Sequence, residues 1–171
     1  AVAGGKVYAM GNAQKKDTVW CFDAAGGKVL WRYDYACGSD RAYPGPRATP
    51  TVDGKNVYTM SRKGQVFCLD AGSGKVVWQR DVAAETGAKA PQWDFSGSIL
   101  VHDKNLVLNV GAAGLALDKA QGTTVWQSGK GTCGYAAPVA FEIGGKPGIA
   151  IFGAQALVAV DPASGRVLWQ H

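Results

Sequence analysis

The sequence predicts an all-β fold, a β-propeller of four-stranded antiparallel blades. Three observations predict it. The pattern Asp-x-x-x-Gly-x-x-x-Trp occurs four times, ending at Trp31, Trp78, Trp126 and Trp169. Successive tryptophans stand 47, 48 and 43 residues apart, and one four-stranded blade needs about 45 residues while being unable to bury both of its faces alone. Between the copies lie short β-branched and aromatic runs with no sustained 3.6-residue apolar period, so strands fill the interval.

Each copy has a local physical reading. An Asp carboxylate can accept hydrogen bonds from neighbouring backbone N–H groups, and a Gly four residues on can take the positive φ of a tight turn. Asp23 with Gly27, Asp70 with Gly74, Asp118 with Gly122 and Asp161 with Gly165 therefore mark hairpins. The pair of residues ahead of each Trp opens the next strand, and the indole offers a flat surface to cover a neighbouring blade.

With strands lettered A to D from inner to outer, the blades follow in order. Blade 1, about residues 1–35, opens in mid-repeat on the end of strand A and so lacks most of its inner strand. Blade 2, about 46–82, takes residues 48–52 as strand A and 56–60 as strand B. Blade 3, about 95–128, has its strand B at 105–110, and blade 4, about 135–171, has its strand A at 136–139 and runs to strand D. Propellers use roughly four to eight blades, and an open arc exposes two edges to aggregation. Four repeats are thus expected to be part of a larger ring, completed by further blades or by a second copy.

Composition narrows the function classes. The chain of 171 residues is 47% hydrophobic with 24 glycines, as suits a core and many turns. No apolar run approaches the roughly 20 residues of a helical membrane span, and no charged-apolar-small leader opens the chain. The net charge of +5 comes from 18 basic and 13 acidic residues without a basic run, so no nucleic-acid partner is expected. Lys28, Lys55, Lys63, Lys75 and Lys104 fall in turns, either as solvated tips or as a basic face for an acidic partner.

Several chemical motifs dissolve on inspection. Cys21 and Cys68 stand where the other repeats have Ala116 and Ala159, which suits small buried residues. Cys37 and Cys133 lie two blades apart, a placement that would rarely bring their Cα atoms within the separation of about 7 Å that a disulfide needs. Gly129, Gly131 and Gly134 match a dinucleotide-loop spacing but lead into a strand and not a helix. The Gly72 to Lys75 segment lacks the Ser or Thr of a phosphate loop, and His102 has no nucleophile at a triad spacing. No metal-binding spacing is present.

The connections from strand D to the next strand A are richer. One, between Trp31 and Pro50, carries Tyr33, Tyr35, Asp40, Arg41, Tyr43 and Arg47; the next, from Trp78 to Ser98, carries Glu85, Trp93, Asp94 and Phe95. Such segments cross one face toward the central channel. Aligning Pro50, Ser98 and Pro138 puts Arg47, Phe95 and Tyr135 at equivalent positions ahead of three inner strands. Arg47, Trp93, Phe95 and Tyr135 are therefore the candidate binding face for a protein or small ligand, with channel plugging as the structural alternative.

The repeats resemble those of the quinoprotein-type β-propellers, which carry pyrroloquinoline quinone-like repeats of the form Ala-x-Asp-x-x-Thr-Gly-x-x-x-Trp. The resemblance covers nearly the whole chain; Gly26, Ser73, Gln121 and Ser164 replace the usual Thr, and Cys21 and Cys68 the usual Ala. It implies that Trp31, Trp78, Trp126 and Trp169 stack on neighbouring blades. One branch of the family comprises dehydrogenases that hold pyrroloquinoline quinone and calcium with a catalytic Asp. The other comprises cofactor-free, BamB-like bacterial binding propellers. The chain lacks vicinal cysteines, and its residues 45–60 look like the second branch. The resemblance implies a non-catalytic binding or scaffold module of a periplasmic or secreted protein, with no cofactor and no metal; the alternative is a segment of a quinone-dependent dehydrogenase, in which Asp40 and Asp94 are too few to cage calcium.

Overall fold

The computed structural model describes residues 1–38 and 45–171. It contains four antiparallel sheets of four strands, each a simple up-and-down meander. Blade 1 is β1 (Val2–Ala3), β2 (Lys6–Ala13), β3 (Lys16–Asp23) and β4 (Val29–Ala36). Blade 2 is β5 (Thr51–Asp53), β6 (Asn56–Met60), β7 (Gln65–Asp70) and β8 (Val76–Asp81). After a five-residue helix, α1 (Val82–Thr86), blade 3 follows as β9 (Leu100–His102), β10 (Asn105–Leu108), β11 (Leu115–Asp118) and β12 (Thr124–Gln127). Blade 4 is β13 (Val139–Ile143), β14 (Lys146–Phe152), β15 (Leu157–Val160) and β16 (Val167–Gln170). The all-β propeller-type architecture is the predicted one, and the two-residue β1 is the truncated inner strand.

The inner strands start later than the sequence suggests. Residues 48–50 and 136–138 are not strand, and β5 and β13 begin directly after Pro50 and Pro138. A proline has no N–H for the ladder, so pairing begins at the residue beyond it. Gln14 and Lys15 close the β2–β3 hairpin with φ of 52° and 63°, the left-handed pair that a two-residue loop requires.

The repeated motif forms the same joint in every blade. Asp70 Oδ1 accepts from the backbone N–H groups of Gly72 and Ser73 at 3.1 and 2.8 Å, and Asp118 and Asp161 bind their own turns in the same way. Asp23 accepts from Gly26 N–H at 2.7 Å. The turn glycines take φ between 68° and 73°. A bulge then shifts the register next to a small residue, so that Cys21, Cys68, Ala116 and Ala159 lie directly opposite Trp31, Trp78, Trp126 and Trp169. All four small residues are buried, leaving space for the indole beside them.

Three apolar cores fill the spaces between blades. Tyr8, Val19 and Trp31 meet Val57, Phe67 and Leu69 between blades 1 and 2. Tyr58, Val66 and Cys68 meet Leu106, Leu115 and Leu117 between blades 2 and 3. Val107 and Trp126 meet Ile149, Ile151 and Val160 between blades 3 and 4. β6 and β7 are therefore buried on both faces, whereas β3 alternates and β13 is largely exposed. The arc is open at both ends.

Candidate functional site

Each Trp docks on the next blade. Trp31 Nε1 donates to the Ala71 carbonyl at 3.1 Å, Trp78 to Lys119 at 3.2 Å and Trp126 to Pro162 at 2.9 Å. Every acceptor is the residue after a motif Asp. The indole also covers the turn glycine: a Cβ on Gly74, Gly122 or Gly165 would stand 2.6, 2.7 or 2.5 Å from the ring of Trp31, Trp78 or Trp126. Motif glycine and motif Trp are thus two halves of one inter-blade contact. Tyr8 and Tyr58, each in register with the small residue and Trp of its own blade, send their hydroxyls to the same Ala71 and Lys119 carbonyls. Trp169 is the exception at 44% exposed.

The meander separates two rims. The Asp turns share one with the A–B hairpins, as the bonds from Ala71 N–H to Lys55 O and from Lys119 N–H to Lys104 O show. His102 and Asp103 lie in the A–B hairpin of blade 3, their side chains 3.8 Å apart. The D-to-A connections share the other rim with the B–C hairpins, where Phe95 N–H donates to Arg62 O and Cys37 N–H to Lys15 O.

The candidate face lies on this connection rim. Trp93 is 49% and Tyr135 45% exposed, and Trp93 N–H donates to the Tyr135 hydroxyl at 3.3 Å. Ser96 Oγ holds the Tyr135 carbonyl at 3.0 Å. Arg47 is exposed on the neighbouring connection, ahead of β5. Phe95 is different: it is 1% exposed and packs into the core between blades 2 and 3. Its ring lies against Gly64 of the β6–β7 hairpin, so it anchors the loop and presents nothing to a ligand. Asp40, Arg41 and Tyr43 lie outside the described residues.

Beside Tyr135 opens an apolar cleft of about 520 Å³, walled by Pro91, Gln92, Cys133, Tyr135 and Phe152. Buried Asn109 fixes two of its walls by donating through Nδ2 to the Ala136 and Phe152 carbonyls, both at 2.9 Å. A larger cleft between the outer strands of blades 3 and 4 has a more polar lining that includes Ser128, Lys130 and Gln155.

The loop that carries Trp93 stands on a buried charge pair. Arg62, 1% exposed, binds Asp94 through its Nε at 2.8 Å and through a terminal nitrogen. Asp94 adopts φ 67° and its N–H donates to Pro91 O at 2.8 Å. Arg62 sits in a Ser-Arg-Lys-Gly hairpin tip, where a sequence reading sees only a solvated charge. Nothing in the local pattern distinguishes it from Lys63 beside it.

Among the walls of the apolar cleft, Cys133 supplies a thiol. Burial pushes the Cys133 thiol up to about 11, which keeps it protonated at neutral pH and a poor nucleophile. Among the described residues no three His, Cys, Asp or Glu side chains come together. Asp94 is engaged by Arg62.

Comparison with known proteins gives the lineage. The family model described as outer membrane protein assembly factor BamB matches residues 15–171. The chain belongs to that family. Similar folds include BamB from Moraxella catarrhalis, at 20% identity and a TM-score of 0.69 over 95% of this chain and 49% of that one. A quinohemoprotein alcohol dehydrogenase from Pseudomonas putida HK5 gives 18% identity and 0.71 over 99% of this chain and 33% of that one. A europium-containing methanol dehydrogenase gives 16% and 0.70 over 99% and 40%. This BamB-family chain therefore spans about half the length of the BamB structure and less of the dehydrogenases. No curated protein sequence matches it.

Proposed function

We propose that this chain is a non-catalytic binding module of a bacterial extracytoplasmic protein, a rigid propeller segment that docks a partner protein at its connection rim. The observation that carries the reading is the exposure of Trp93 and Tyr135, whose two loops are joined by a 3.3 Å bond from the Trp93 backbone N–H to the Tyr135 hydroxyl, beside an apolar cleft of about 520 Å³. Rigid aromatics flanking a pocket are the groups that supply most binding energy at protein interfaces, and here the Arg62–Asp94 pair holds the Trp93 loop in place. The family description, an assembly factor of the outer membrane, supports a protein as the partner and a periplasmic or secreted location. The fold works within a ring of more blades. Neither quinone nor calcium has a role in this reading.

Panning a random peptide library against the chain tests it. Enriched peptides should carry a large aromatic or aliphatic residue, and the double variant Trp93→Ala/Tyr135→Ala should weaken their binding at least tenfold with an unchanged thermal melt. Failure to enrich any peptide, or full binding by the double variant, would overturn the reading. Arg47→Ala combined with Trp93→Ala measures whether the neighbouring connection belongs to the same surface.

A further inference from the structure

The connection from blade 3 to blade 4 fixes a lysine in place and leaves its charge unanswered. Its turn is pinned at two glycines: the Ala112 N–H donates to the Gly129 carbonyl and the Lys89 N–H to the Gly131 carbonyl, each at 3.2 Å. A Cβ on Gly131 would press on Ala112 at 3.1 Å, and one on Gly134 would run into the Phe152 carbonyl. Two glycines of the dinucleotide-like spacing thus answer to backbone packing. Lys130 stands exposed between the pinned glycines, its Cε 3.5 Å from where a Cβ on Gly87 would lie. Lys89 is exposed beside it, on the segment that pairs with Thr132. Among the described residues neither lysine has a carboxylate partner. The acids nearby are already committed: Asp94 to Arg62, Glu85 to Arg80, and Asp81 to the Ala84 N–H at the start of α1.

The place of this charge matters. Thr132 and Ala154 line both the apolar cleft beside Tyr135 and the more polar cleft that Lys130 lines, so the two open into one groove. Among the described residues no Asp or Glu lines either part. The groove is apolar at one end and basic at the other. The opposite rim offers no such contrast, because Lys28, Lys55, Lys75 and Lys104 share it with the motif Asp turns and with Asp53 and Asp103. We infer that the partner segment taken by this groove is acidic: an apolar side chain enters the cleft beside Tyr135 while Asp or Glu residues of the same segment face Lys89 and Lys130. The inference rests on the Trp93–Tyr135 surface as the docking site and adds which sequences are chosen there. Complementary charge steers encounter and rejects wrong partners even where each exposed pair adds little affinity.

A peptide library with one fixed Trp or Leu, flanked by positions drawn from Asp, Ser and Lys, tests the choice. Binders sorted on the chain should be enriched in Asp over Lys, and their affinity should fall between roughly 0.05 and 0.3 M salt as screening sets in. Lys89→Gln/Lys130→Gln should erase the Asp preference and weaken binding about three- to tenfold. Lys28→Gln/Lys75→Gln, the same charge change on the opposite rim, should leave both unaltered. Lys130→Glu should turn the preference toward Lys, a gain that misfolding cannot imitate. Binders without Asp enrichment, or an Asp preference that survives the loss of both lysines, would overturn the inference and leave the docking surface standing. If no library member binds, the docking surface falls and the inference with it.

Discussion

The indole of Trp78 lies across the backbone of Gly122 one blade away, so close that a Cβ at Gly122 would stand 2.7 Å from the ring. The glycine thus answers two demands at once. Its φ of 73° closes the turn that Asp118 organises, and its bare face lets the indole reach the Lys119 carbonyl.

Gly122→Ala should destabilise the chain by about 1–3 kcal/mol from overpacking, with a further cost of roughly 1 kcal/mol for a side chain at positive φ. Trp126→Ala, at a site 7% exposed, should cost about 3–5 kcal/mol. Trp169→Ala should cost clearly less when measured on the monomer. Urea unfolding followed by circular dichroism gives all three values, and equal losses at Trp126 and Trp169 would contradict the docking role.

Arg62→Met should lower stability toward the lower end of the roughly 3–5 kcal/mol lost when one member of a buried ion pair is removed, because Asp94 keeps 16% side-chain exposure. Hydrogen exchange at residues 91–95 should accelerate more than elsewhere. Adding Asp94→Asn, which keeps the left-handed backbone, should cost less than on the wild-type background, as coupled partners do.

The four cysteines should resist a thiol reagent at pH 8 in the native chain and react together on unfolding. All four are buried, and burial pushes Cys37, Cys68 and Cys133 each up to about 11, with the Asp17 carboxylate adding to the effect at Cys37. Rapid labelling of one thiol under native conditions would reveal a local opening at that blade.

Acid should weaken the Asp turns in a residue-specific way. The Ser73 hydroxyl and N–H hold Asp70 below the usual carboxylate range, and Ser164 does the same for Asp161. A lowered folded-state pKa stabilises above the unfolded value near 4 and loses that contribution as pH falls through the folded value. Ser73→Ala should therefore raise the Asp70 pKa in an NMR titration. Its destabilisation relative to wild type should be present at pH 7 and shrink at the acid end.

The period and the Asp, Gly and Trp positions make the blades legible in the sequence, because a repeat leaves its turn chemistry at fixed offsets. The inner strands were less legible. Pro50 and Pro138 sit inside runs that read as strand, and only the missing N–H moves the start beyond them. At the rim, composition alone could not separate Phe95 from Tyr135: both are aromatics in loops, and the direction of each side chain follows from how its loop folds onto blade 2 or away from it. Arg62 was invisible for the same reason, since its partner Asp94 lies 32 residues away.

The phenol found beside Trp31 and Trp78 has no counterpart in blade 3, where Val107 takes the place of Tyr8 and Tyr58 and Trp126 alone reaches across to Pro162. The three links of the arc are therefore unequal in hydrogen bonding. In a quasi-one-dimensional array, stability is set by each nearest-neighbour interface in turn. Under mild denaturant the joint between blades 3 and 4 should therefore open before the two that carry a tyrosine, which hydrogen exchange of Trp126 Nε1 against Trp31 and Trp78 Nε1 would read.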